Sequence, residues 1–330
     1  MITFCEQAKK RLLNVQNLPM TVATKLFHDP VLKNEVLEEL VTPATSVFFD
    51  GTLGLGGHAE AVLEKYGRIE KYVATDLDKQ HLEFARNRLK KFDKKLALHL
   101  GNFSEFSTIF PQERLQEGTA SVLLDLGLCS NQIDDPEKGF SFMADGPLKM
   151  AFDGSERAEE LLNTVSEKDL TRVFRDFGEL KRAPILARKI IEARKEKPLK
   201  TTGELRSIIE THTHPLERKK TLTQVFQAIR IEANQELEHL QKFLNEALEI
   251  LQKGDRLGIM SYHSLEDRYV KNTFTKATKP ETAETQFSLH TVVAPAPFEL
   301  ITRKPITPTK EEIARNPRSR SVKFRIIEKI

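Results

Sequence analysis

The sequence predicts an α/β fold: a mostly parallel sheet with right-handed crossovers, closed by an antiparallel hairpin and interrupted by an inserted all-helical domain. Three observations carry this expectation. Short apolar runs at Val47–Phe49, Tyr72–Thr75, Leu96–Leu98 and Ser121–Leu124 alternate with helical patterns, the rhythm of consecutive βαβ units. The first run ends on Asp50 and enters a glycine-rich turn, Gly51-Thr-Leu-Gly-Leu-Gly-Gly-His58. The alternation stops near Asp134, gives way to charged helical periodicity, and resumes near Gln224.

Taken in order, Pro30–Leu40 reads as a helix, with proline in its first turn and Val31, Leu32, Val36, Leu37 and Leu40 on one face. Helices are expected at His58–Lys65, Lys79–Phe92 and Glu105–Phe110, each following a strand. Arg157–Asn163, Glu167–Phe174, Ala183–Ala193 and Thr202–His212 form the helical interruption. Gln224–Gln252 then gives one long helix or two, Arg256–Tyr262 a strand and Leu265–Phe274 a helix. Leu300–Arg303 and Val322–Ile327 are expected to pair as the closing hairpin across the basic connection Lys304–Ser321. The implied division is an N-terminal extension at 1–27, a core at 28–134 and 224–330, and a helical insert at 135–223 that could cap the substrate site.

Ligands of such sheets gather at the carboxyl ends of the strands, where Asp50, Asp76, Phe103 and Asp125 fall. The glycine turn lets a backbone approach a nucleotide closely, since glycine has no Cβ and tolerates positive φ. Asp76 ends the second strand 20 residues past Gly56, a spacing suited to the two hydroxyls of a ribose. Gly54-x-Gly56-x-x-Ala59 also satisfies the relaxed dinucleotide fingerprint, so a nicotinamide cofactor is the alternative. Asp50 at the loop mouth favours S-adenosylmethionine, because a carboxylate there repels a pyrophosphate but can accept from a methionine amine. Asp50, Asp76 and Asp125 are accordingly expected to face one cavity.

Of 330 residues, 39% are hydrophobic and 30% charged, with a net charge of +3, and no apolar run approaches the ~20 residues that span a bilayer. Cys5 and Cys129 are far apart and lack metal-ligand spacing, which speaks for a reducing compartment and against a structural metal or disulfide frame. The basic start, Lys9-Lys-Arg11, lacks an apolar core, so no secretory signal is expected and the protein is placed in the cytoplasm. From Arg303 to Lys329, nine bases face three acids, pointing to a polyanionic partner.

In order, the motifs are His28-Asp-Pro-Val-Leu, Asp50-Gly-Thr-Leu-Gly-Leu-Gly-Gly-His, Leu124-Asp-Leu-Gly and Asp134-Asp-Pro-Glu-Lys-Gly-Phe-Ser-Phe. Asp145-Gly-Pro-Leu, Phe226-Gln-Ala-Ile-Arg-Ile-Glu-Ala-Asn, Ser261-Tyr-His-Ser-Leu-Glu-Asp-Arg, Thr302-Arg-Lys-Pro-Ile-Thr-Pro and Ala314-Arg-Asn-Pro-Arg-Ser-Arg-Ser follow. With these the chain resembles the bacterial RsmH (MraW) family, S-adenosylmethionine-dependent enzymes that methylate the N4 amine of a decoding-centre cytosine in 16S ribosomal RNA. The resemblance implies a Rossmann-like class I methyltransferase core and a partner in the small ribosomal subunit; it leaves room for a homodimer. By motif, Gly56, Gly57 and His58 would line the methionine end, Asp76 would hold the ribose, Phe103 would lie near the adenine, and Asp125 and Gln132 would close the pocket; Gly54, in the same turn, is counted with the cofactor-binding residues. The segments Cys129-Ser-Asn-Gln132 and Lys149-Met-Ala-Phe-Asp153 depart from the family's usual residues.

A cytosine amine is a weak nucleophile, so such an enzyme mainly aligns amine, methyl and sulfur, an effect worth ~7–11 kcal/mol, and supplies an acceptor for the amine. Asp125, or Ser130 and Asn131 just after it, are the candidates for that acceptor; His263 is either a further catalytic residue or a scaffold histidine hydrogen-bonded to Glu266 or Asp267. Cys129 is expected as a small buried thiol rather than the nucleophile of C5 methylation. Arg303, Lys304, Arg315, Arg318 and Arg320 are assigned to RNA phosphates. The rival functions are a nicotinamide-dependent oxidoreductase and a non-enzymatic ribosome-assembly factor.

Overall fold

The computed structural model describes residues 29–285 and 288–330. Its central sheet has seven strands in the order β3-β2-β1-β4-β5-β9-β8. These are β1 Thr45–Asp50, β2 Lys71–Asp76, β3 Leu96–Leu100, β4 Thr119–Asp125, β5 Arg256–Ser261, β8 Phe298–Leu300 and β9 Lys323–Lys329. β1 to β5 are parallel; β9 runs antiparallel to β5, and β8 antiparallel to β9. A separate antiparallel pair, β6 Glu281–Thr285 and β7 Ser288–Ala294, lies outside every sequence expectation.

The central strands are apolar on both faces because helices cover both, as a parallel sheet requires. Phe48 points to one side and stacks on Tyr72 at 5.0 Å, while Phe49 points to the other and meets Phe106 and Phe110 edge-on at 4.9 and 5.9 Å. Each fully buried phenylalanine contributes roughly 1.5–3 kcal/mol of transfer free energy. Those faces are covered by α1 Gly57–Lys65, α2 Lys79–Arg88 and α3 Phe106–Glu113. A short helix, α4 Ser130–Asp134, follows β4.

Several boundaries differ from expectation. The Pro30–Leu40 segment becomes helical only at Lys33 and continues as a π-turn over Val36–Leu40, because Leu32 adopts φ 50 and donates its N–H to Glu312 at 2.8 Å. The helix expected to reach Phe92 ends at Arg88 and tightens into a 3-10 turn over Lys90–Lys95. The closing hairpin forms, but β9 pairs with Phe298–Leu300 rather than Leu300–Arg303; Ile301 and Thr302 still donate to Ile326 at 3.1 and 3.3 Å.

The helical interruption comprises α5 Arg157–Thr164, α6 Glu167–Asp176, α7 Ala183–Glu196, α8 Thr202–Thr211 and α9 Arg218–Asn234. These share one core, with Leu162, Leu170, Phe174, Ile190, Ile209 and Ile229 buried. That core runs to Ala233, so α9 packs with the helical layer although the sequence placed residues from 224 onward in the sheet unit. Gln235, at φ 50, separates α9 from α10 Glu236–Ile250, which returns to the sheet through Phe243 and Leu244. After β5 comes α11 Ser264–Ala277, and α12 Lys310–Arg315 lies in the basic connection.

A buried carboxylate pins the far edge of this frame. Asp255 takes both guanidinium nitrogens of Arg114 at 2.6 and 3.0 Å and the N–H groups of Ala120 and Gln252 at 2.8 and 2.7 Å. Among the described residues, no helix is long and apolar enough to cross a membrane.

Candidate active site

The turn after β1 can be built only from glycine at its tightest point. A Cβ on Gly51 would lie 2.2 Å from Leu124 Cδ2 and 2.8 Å from Phe103 Cβ. Gly54 adopts φ 53, reachable at little cost by glycine, and its N–H donates to Asp76 Oδ2 at 2.7 Å. Asp76 Oδ1 accepts the Asp78 N–H at 2.8 Å. Each carboxylate oxygen therefore keeps acceptor capacity, at the end of the strand neighbouring β1. His81, on α2, sits behind this acid with Nδ1 3.5 Å from Asp76 Oδ1.

A cleft partly open to solvent lies across the carboxyl ends of the parallel strands, where ligands of such sheets bind. Five sequence-expected residues line it: Gly54, Asp76, Phe103, Asp125 and Gln132. The sequence reading missed Asn102, Phe152, Asn234, Glu236, His239 and Glu266. Asn102 was signalled, for it begins a capping box with Glu105 right after β3. Phe152 and Asn234 come from the helical layer and are joined to each other, the Asn234 Oδ1 accepting the Phe152 N–H at 3.0 Å.

Other expected residues lie elsewhere. Asp50 is not in the cleft wall: its side chain is buried on the Tyr72 face, accepting the Tyr72 hydroxyl at 2.9 Å and the Thr52 N–H at 3.0 Å. Asp76 and Asp125 share a cavity, but Asp50 lies beneath it. Gly56 makes the φ 77 turn that opens α1, and Gly57 packs on Pro30. His58 is buried behind Asp125, with Nε2 3.6 Å from Asp125 Oδ2. Ser130 begins α4, and Asn131 turns its amide to His81 Nε2 at 3.1 Å rather than into the cleft. His263 caps α11, its Nδ1 accepting the Glu266 N–H at 3.5 Å.

Burial pushes the Asp50 carboxyl from 3.8 up to about 6, against the lowering influence of His58 and its two donors. A carboxyl whose pKa is higher folded than unfolded costs stability as pH rises past the unfolded value, and the cost is complete above the folded one. Relative to Asp50→Asn, the native protein is expected to lose about 3 kcal/mol in all as the pH rises from below ~4 to above ~6. Thermal melts of both proteins across that range check this, and parallel curves would refute it.

Beyond Asp125 the cleft ends among charged groups. Tyr262 donates its hydroxyl to Asp125 Oδ1 at 2.7 Å and its N–H to Glu266 Oε2 at 2.8 Å, linking the ends of β4 and β5. Glu236 forks onto Arg230 at 2.7 and 2.9 Å. Glu236, His263 and Glu266 bring their ligand atoms within 4.8 Å of one another. A cation there would need a lone pair on His263 Nε2, yet Nδ1 already accepts a backbone N–H, which assigns the ring hydrogen to Nε2. His263 Nε2 therefore faces the carboxylates with a hydrogen and not a lone pair. Cys129 lies half-buried in the cleft wall, and desolvation, with Asp76 and Asp125 nearby, pushes its thiol above the usual range.

The MraW methylase family model matches residues 25–330. The chain belongs to that family. It is 43% identical over 309 residues to the ribosomal RNA small subunit methyltransferase H of Protochlamydia amoebophila, covering 92% of this chain and 97% of that protein. It is 40% identical over 317 residues to the protein of the same name from Chlorobium limicola, covering 92% and 98%. Among solved structures, an rRNA methylase from Streptococcus thermophilus matches with a TM-score of 0.39 and 13% identity over 91% of this chain and 95% of that one.

Membership in a methylase family makes S-adenosylmethionine the cofactor and sets the nicotinamide alternative aside. The cleft fits it. Asp76 has acceptor capacity for ribose hydroxyls, and Phe103 and Leu77 offer apolar surface for the adenine. Asp125, unlike Asp50, has its carboxylate in the cleft wall, where it can accept from an amine. When bound, the group supplies a methyl carried on a sulfonium.

Proposed function

We propose that this protein methylates the N4 amine of a decoding-centre cytidine in 16S ribosomal RNA, within the small ribosomal subunit. The observation that carries the reading is the composition of the cleft: an acid at the β2 end, carboxylates at the β4 and β5 ends, and no cation beside the half-buried Cys129 thiol among the residues that line it. C5 methylation of cytosine needs a thiolate adduct, which the desolvation of Cys129 and the nearby Asp76 and Asp125 charges disfavour. The names of the relatives, for small-subunit ribosomal RNA, support the substrate class. An exocyclic amine needs alignment and an acceptor rather than a covalent nucleophile.

The base must leave its stack to reach a methyl at the cleft floor, which costs a few kcal/mol and least in looped RNA. Phe152 and Asn234 make the helical insert, residues 135–234 in this division, a cap over that base. Arg303, Lys304, Arg315 and Arg320 are exposed and would meet phosphates. Arg318 is exposed too, but it is held by Asp134, so its part is to join the basic connection to α4.

Purified protein, S-adenosylmethionine and small subunits lacking the modification should yield N4-methylcytidine at a single position, read by nucleoside mass spectrometry. 5-Methylcytidine, or no methyl transfer at all, would overturn the reading, the second result favouring an assembly factor.

A further inference from the structure

We propose that Glu266, at the β5 end of the cleft, receives the target amine and takes its proton, with His263 and Glu236 as positioning residues. The inference rests on the cytidine-N4 reading above. The order of strand ends supports it. Asn102 and Phe103 follow β3, Asp76 ends β2 and Asp125 ends β4, so a cofactor with its ribose on Asp76 and its amine on Asp125 occupies the β3 to β4 part of the cleft. What remains is the β5 end, where Glu266, Glu236, Phe152 and Asn234 form the wall.

Glu266 is built to act there. It is only 2% exposed, and its Oε2 is fully used by the N–H groups of Tyr262 at 2.8 Å and His263 at 3.3 Å. Among the described residues Oε1 has one basic neighbour within 4 Å, His263 Nε2 at 3.1 Å, which leaves it a lone pair. That His263 nitrogen is buried and makes no hydrogen bond of good geometry. Glu236 completes the corner with a carboxylate neutralised by Arg230. Burial works against ionisation of Glu266, but His263 and Arg230, with the Tyr262 N–H, hold its carboxyl below the usual range. It is thus an anion at neutral pH.

The step balances without another reagent. The amine lone pair forms the N–C bond, the S–C bond breaks with its electrons staying on sulfur, and the amine proton passes to Glu266 Oε1. The same pair of acids discriminates between bases. A cytosine N4–H donates to a carboxylate, whereas the O4 of uracil would face it lone pair to lone pair. The groups facing Glu266 are Arg230 of α9, Glu236 of α10, the His263 cap and Tyr262 just after β5. Asp125 lies beyond the Tyr262 hydroxyl, and Glu179 beyond His263.

The test is single-turnover methyl transfer to small subunits as a function of pH, with cofactor binding measured by calorimetry. Glu266→Gln should lower the rate ~10²–10⁴-fold, abolish the fall in rate at acid pH, and leave cofactor affinity within about threefold. Product-bound protein should prefer an RNA hairpin with cytidine over uridine at the target, and the variant should lose that preference. Because Glu266 also caps α11, Glu236→Gln is the second probe: with a like charge gone and Arg230 freed, its acid limb should move to lower pH. A Glu266→Gln protein with the native rate, limb and preference overturns the proposal, as does an unmoved limb in Glu236→Gln should the first variant not fold. Native protein that makes no N4-methylcytidine fails the function reading instead.

Discussion

Asp76→Ala is expected to weaken S-adenosylmethionine binding by about a hundredfold or more. Two hydrogen bonds from ribose hydroxyls to an ionised carboxylate are worth ~1.5–3 kcal/mol each, and every 1.4 kcal/mol is tenfold in affinity. The substitution also strands the Gly54 and Asp78 N–H groups that Asp76 now accepts, loosening the turn that must pass close to the ligand. Asp76→Asn keeps one acceptor oxygen and should fall between. Titration calorimetry with the cofactor alone measures both, and an alanine variant within threefold of the native affinity would place the ribose elsewhere.

The second large effect concerns stability and leaves the cleft untouched. Asp255→Ala should destabilise the protein by ~3–5 kcal/mol, the range for removing one partner of a buried ion pair. Asp255 is fully buried, and its loss would leave the Arg114 guanidinium and the Ala120 and Gln252 N–H groups without an acceptor. Replacing the whole arrangement by apolar residues should be far less damaging, since desolvation offsets much of what such a pair contributes. Urea unfolding of Asp255→Ala checks the figure; a loss under about 1 kcal/mol would show that water reaches the site.

How much of this was legible in the sequence depended on whether a residue's task is local. Asp76 could be read because an acid ending the second strand, at a set distance from a glycine turn, has one place to go. The four early strands and most helices were legible for the same reason, through period and punctuation. Asp50 was misjudged because β1 is buried on both faces, so apolar alternation carries no sign of which way its last side chain turns. That needed the register of Phe48 with Tyr72, which places the Tyr72 phenol beside it. The break at Gln235 was hidden too, since a left-handed residue that is not glycine leaves no mark in composition. With it went Glu236, which begins α10 just past the break and faces an acid on a helix far along the chain.

The insertion of five helices between two adjacent strands also bears on how the chain finds its shape. β4 ends at Asp125 and β5 begins at Arg256, yet the two are hydrogen-bonded neighbours. Closing a flexible loop loses entropy that grows with the logarithm of its length, about 0.6 kcal/mol per doubling, and non-local pairing of this kind slows folding. A helical unit with its own core can collapse first and bring its two ends together, so the strands then meet across a short gap. Defects in the packing around Phe174 or Ile229 should therefore be felt as slow completion of a sheet that neither residue belongs to.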